Sequence, residues 1–146
     1  MIINSDKDIK SILNGICELT LPKLKWTHEA HFAAALAILS DPKYDAFNDM
    51  PHIIRSYNTA TGVRNSDSEG YHHTITIASL YATEAILTEG HPSLITALRR
   101  ILAAEYGQSN WMLKYWSKNL LFSANARKYW VDSDVNLLPF PIGQHR

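Results

Sequence analysis

Most features that announce a chemistry are missing from this sequence. It has one cysteine among 146 residues, so no internal disulfide can form, and Cys17 within a helical pattern reads as a small buried hydrophobe. Neither sign of charge is in excess: 14 Lys and Arg balance 14 Asp and Glu, and the pI is near 7.1. That balance removes the net field that would attract nucleic acid or an anionic membrane surface. No apolar run approaches the roughly 18 residues of a membrane span, and Met1 to Lys7 contains no basic segment leading into an apolar stretch, so the expected compartment is the cytoplasm. There is no glycine-rich phosphate loop, no GxSxG elbow and no zinc-finger cysteine pattern, which removes nucleotide hydrolysis, serine-esterase and finger readings.

What is present is globular. Hydrophobic residues make up 46% and charged residues 19% of the chain, with a mean hydropathy of -0.18, values that fit one ordinary domain over 1–146. Ser5, followed by Asp6 and Asp8, reads as a helix N-cap with acidic residues in its first turn, and Ile9, Ile12, Leu13 and Ile16 continue at helical spacing, which predicts a helix over about 5–20. Thr27 caps an Ala- and Leu-rich segment over about 28–39 whose apolar residues cover most of its circumference, as expected of a central helix.

Ser40-Asp41-Pro42 reads as a cap with proline at the first helical position, and Pro51 is expected to divide the helical region that follows. Residues 59–70, rich in Gly, Ser, Asn and Asp, form the main loop. The stretch from Tyr71 to Glu89 begins with β-branched Thr74-Ile75-Thr76-Ile77, yet helical spacing of Ala78, Tyr81, Ala82, Ala85 and Ile86 favours a helix, since no second strand is at hand. Further helices are expected from Pro92 to Gly107, from Asn110 through Trp116, and from Ala124 to Trp130 behind Ser123, followed by an extended tail over about 131–146. The fold class is therefore all-α, an irregular bundle of six to seven helices.

The chemical clue is the grouping of histidines. His28 and His31 stand at i, i+3, which places both imidazoles on one helix face, and His72 and His73 open the helix after the main loop. If the two helix starts meet, His28, His31 and His72 are candidate ligands for a divalent transition metal (zinc, iron or copper), leaving an open position for water or a small-molecule substrate. His73 is then an acid/base or fourth ligand, and Arg55 and Tyr57, just before the loop, are candidates for positioning substrate. The competing reading is that these histidines are hydrogen-bonded at polar helix starts or solvated in the loop, because HxxH spacing lacks both the third ligand and the built-in base of HExxH.

Glu29 faces away from such a site, Glu84 is a weak carboxylate candidate, and His52, His91 and His145 have no partner at ligand spacing. Trp111, Tyr115, Trp116, Tyr129 and Trp130 form an aromatic concentration expected to be core or interface. A homodimer is a further expectation. The main alternative to a metal-dependent enzyme is a non-catalytic helical module that binds a small molecule or a protein partner through this aromatic C-terminal surface.

At Trp26-Thr27-His28-Glu29-Ala30-His31, Tyr57-Asn58-Thr59-Ala60-Thr61-Gly62-Val63, Gly70-Tyr71-His72-His73-Thr74-Ile75-Thr76 and Trp130-Val131-Asp132 through Pro139-Phe140, the chain resembles a family of small bacterial helical proteins for which no reaction is settled. The resemblance covers most of the chain. It implies Tyr-His-Glu-Thr in the third of these segments, so His73 stands where a glutamate is expected, a departure that bears on any metal or base at that position.

Overall fold

The computed structural model describes residues 2–145, and among them every regular element is helical. Helix α1 (Asp6–Cys17) starts where Ser5 accepts the Asp8 N–H, at 3.1 Å, and turns Ile9, Ile12, Leu13 and Ile16 inward. Helix α2 (His28–Ser40) starts where Thr27 Oγ1 accepts the Ala30 N–H. Its residues from Phe32 to Ile38 are all buried, so α2 is the central helix and α1, α3 (Ala46–Ala60), α4 (His73–Thr88) and α5 (Leu94–Ala103) pack around it. Each fully buried Leu or Ile side chain here contributes on the order of 1.5–3 kcal/mol, which explains why a helix of such uniform hydropathy settles at the centre.

Helix α4 forms despite its β-branched start because the threonine hydroxyls find local or tertiary backbone acceptors. Thr76 Oγ1 donates to the His72 carbonyl at 2.9 Å, while the Thr74 hydroxyl lies 2.8 Å from both the Ala126 and the Tyr129 carbonyl. The expected division at Pro51 is not found: α3 runs through it. Pro51 lies in the second turn, where its missing N–H removes a single bond to the Phe47 carbonyl, and its ring is buried in the core. Nor does a helix start at Pro42. Asp41 instead folds its carboxylate back onto the Lys43 N–H at 3.1 Å, and α3 begins later, with the Asp45 N–H on Asp49 at 2.8 Å.

The aromatic segment expected as one helix from Asn110 is a 3-10 turn (Trp111–Lys114) followed by a short α6 (Lys118–Leu121) capped by Ser117. Partners in different directions break it. Trp116 Nε1–H donates to the Val131 carbonyl at 3.0 Å, and Asp134 accepts both the N–H and the hydroxyl of Ser117 at 2.6 Å. Helix α7 (Ala124–Lys128) follows its Ser123 cap, and the segment after it is pinned across the bundle, with Phe140 buried against Tyr106 and Trp111. None of the described helices is long and apolar enough to cross a membrane.

Candidate functional site

Thr27 and His72 end their respective loops so that the first two turns of α2 and of α4 face one another across a cavity of about 430 Å³. His28, His31, Phe32 and Ala35 come from α2, and Ile75, Thr76, Ser79 and Leu80 from α4. Trp26, Met50, Ile54, Ser109 to Leu113, Leu121 and Phe122 complete the lining. No Lys, Arg, Asp or Glu lines the space, so its character is apolar with a few neutral polar groups.

The two cavity imidazoles have defined tautomers because a backbone carbonyl can only accept. His28 lies 2.7 Å through Nε2 from the Tyr106 carbonyl and therefore donates from that atom; its Nδ1 keeps the lone pair. His31 donates from Nδ1 to the Thr27 carbonyl at 2.7 Å and keeps its lone pair on Nε2. The His31 ring stacks on Trp26 with centroids 3.8 Å apart, and Trp26 in turn meets Tyr57 edge-on. Loss of solvation between these walls pushes the His31 pKa down, to about 4, against a raising effect of the Thr27 bond. His31 is nonetheless an exposed residue, and the water it meets solvates the charged form and limits the drop.

His72 has a different task. It is the N-cap of α4: its Nδ1 accepts the Ile75 N–H at 3.2 Å, and its Nε2–H donates to the Leu121 carbonyl at 2.6 Å. A neutral imidazole has one lone pair and one N–H, so both are taken and none is left for an ion. The helix starts meet as expected, but His72 does not join His28 and His31 at a common point. Among the described residues no group of three His, Cys, Asp or Glu side chains is disposed to hold a metal ion.

The remaining candidates sit elsewhere. Tyr57 is buried and donates its hydroxyl to the Leu21 carbonyl at 2.7 Å, so it supports Trp26 from behind. Arg55 lies over the Tyr71 ring, 4.2 Å from its centroid, and the Tyr71 hydroxyl is 2.9 Å from His73 Nδ1. Burial pushes the Tyr71 pKa up to about 12, so the phenol stays protonated. Arg55 and Tyr71 line a second cavity of about 320 Å³ together with Asn65, Asp67, Arg127 and Lys128. Glu29 is half-buried, and Glu84, His52, His91 and His145 are exposed. Of the aromatic cluster, Trp111, Tyr115 and Trp116 are core, whereas Tyr129 is exposed.

Sequence reasoning passed over Trp26, Ser79 and Asn110 as cavity walls and Arg127 altogether. Trp26 sits in the same segment as His28 and His31, and that proximity was the available signal. Ser79 carried one too, standing one helical turn beyond Thr76. Asn110 and Arg127 arrive by long-range packing and carried none. Comparison with known proteins supplies no assignment: no family model, no curated protein and no solved structure matches the chain.

Proposed function

We propose that this protein binds a small, largely apolar, uncharged organic molecule carrying one hydrogen-bond donor, held in the cavity between the starts of α2 and α4. The observation that carries this reading is the cavity itself: about 430 Å³, free of charged groups, with aromatic walls at Trp26, Phe32, Trp111 and Phe122 and two imidazoles. Sites for small ligands have this size and this composition, an apolar lining with a few polar groups that fix orientation. The His31 Nε2 lone pair is the acceptor or base for the ligand's donor, and its lowered pKa keeps it neutral at physiological pH.

A second reading, a metal-dependent enzyme with zinc, iron or copper, draws support from the two cavity imidazoles that each retain a lone pair. Its third protein ligand would have to be a group other than the capping His72, unless that side chain gave up both of its bonds. The two readings part in one titration series.

The probe for the first is 2-naphthol, followed through tryptophan fluorescence, since Trp26 and Trp111 line the cavity. Saturable binding is expected. It should weaken by roughly three- to tenfold in His31→Ala, the size of one hydrogen bond, and disappear in Ser79→Phe, which fills the space from α4. Absence of saturable binding, or equal affinity in Ser79→Phe, overturns the reading. Stoichiometric zinc bound by the wild type and lost in both His28→Ala and His31→Ala would instead favour the metal.

A further inference from the structure

We propose that the second cavity is a phosphate site for a small phosphomonoester, with Arg55 and Arg127 as its cationic groups. It is separate from the α2–α4 cavity and does not depend on what that cavity binds.

Charge is the first ground. Among the described residues, ion pairs join Lys128 to Asp67, at 2.8 Å, and Lys114 to Glu105, so neither guanidinium has a carboxylate partner. Arg55 is held only by the Tyr71 ring. Arg127 donates from Nη1 to the Gly70 carbonyl at 3.1 Å, while its Nε is buried with no acceptor. Both arginines are half-buried on the wall of the cavity, where a guanidinium without a carboxylate partner is open to an anion. Lys128 and Asp67 cancel, which leaves two positive charges on the cavity wall and matches a dianion better than a carboxylate.

Construction is the second ground. The wall is assembled by one side chain: Asn65 donates from Nδ2 to the Arg55 carbonyl at 3.0 Å and accepts the Tyr71 N–H on Oδ1, also at 3.0 Å. Arg127 ties the same loop to α7 through Gly70. The two guanidiniums are therefore brought together from α3 and α7 by a fixed loop, which limits the entropy lost when a ligand binds. The volume of about 320 Å³ exceeds what a phosphate group fills, and the exposed Tyr129 ring on its wall suits an organic portion.

The test follows the Arg127 side-chain Nε–H resonance by NMR, with calorimetry, while inorganic phosphate, phenyl phosphate or benzoate is added to the full chain. A saturable shift with either phosphate is expected. Tighter binding of phenyl phosphate assigns a phosphomonoester, and equal binding assigns free phosphate. Arg55→Met should weaken binding about tenfold with melting unchanged, and Asp67→Asn should tighten it by removing the one carboxylate on the wall. The proposal fails if no saturable shift appears by about 10 mM, at the weak end of specific affinity. It also fails if Arg55→Met binds phosphate as wild type does, or if benzoate binds as tightly as phenyl phosphate.

Discussion

His72→Ala should destabilise the fold by roughly 2–4 kcal/mol, read as a fall in Tm of about 5–15 °C. The imidazole performs two backbone duties at once, accepting the Ile75 N–H at the start of α4 and donating to the Leu121 carbonyl at the end of α6. Alanine leaves the cap unmade, which costs about 1 kcal/mol, and leaves a carbonyl unsatisfied at a position where His72 is only 7% exposed, which costs about 1–3 kcal/mol. His72→Asn should recover the cap but not the reach to Leu121, and so fall between the two.

Acid provides a second readout of the same assignment. Burial pushes the His72 pKa below its ordinary 6.5, partly offset by the Leu121 bond. The folded state therefore holds the neutral ring while the unfolded chain takes up a proton more readily, and stability rises with pH through that window. The contribution is complete above pH 6.5 and fades as pH falls towards the folded pKa. The Tm gap between wild type and His72→Ala should narrow on acidification below that value. A gap that stays constant would sink the neutral-cap assignment, and a variant of unchanged stability that instead loses bound zinc would restore His72 as a ligand.

The helices were legible where local chemistry decides them. Ser5, Thr27 and Ser123 act as the caps their side chains suggest, and the Ala-rich run of α2 proves central because no face of it is polar. Helix against strand at Thr74-Ile75-Thr76-Ile77 was decided correctly by spacing further along. Pro51 and the aromatic stretch after Asn110 were misjudged because tertiary partners outweighed propensity: a buried ring in one case, Val131 and Asp134 in the other.

The same division runs through the site. That His28 and His31 share one helix face could be read from spacing, since i, i+3 geometry is local, whereas the meeting of the α2 and α4 starts is a long-range contact that spacing leaves as a condition. Which way each ring turns could not be read from spacing either. His72 occupies the N-cap, where its side chain folds back onto the first turn of its own helix, and so it leaves the cavity that its neighbours Ile75 and Thr76 line. Arg127 reaches Gly70 across 57 positions of sequence, a contact that no window of local pattern contains.

Gly70→Ala should be the other large loss, roughly 3–5 kcal/mol, and should remove the phosphate site with it. Gly70 has φ of +81°, and a Cβ there would lie 2.2 Å from the Arg64 carbonyl oxygen and 2.8 Å from Asn65 Oδ1. Both obstacles are rigid, one being backbone and the other an amide held by Tyr71 and Asn58. Relieving the clash shifts the Arg64 carbonyl and with it the adjoining Asn65, whose side chain holds the Arg55 carbonyl and the Tyr71 N–H together. Gly62 is the internal control. Its φ is +83°, but nothing lies within 4 Å of its would-be Cβ, so Gly62→Ala should cost only the backbone strain of about 1–2 kcal/mol. Chemical denaturation of the two variants separates strain from collision. If they lose equal stability, or if Gly70→Ala still binds phenyl phosphate like the wild type, then close packing under Gly70 does not build the second cavity.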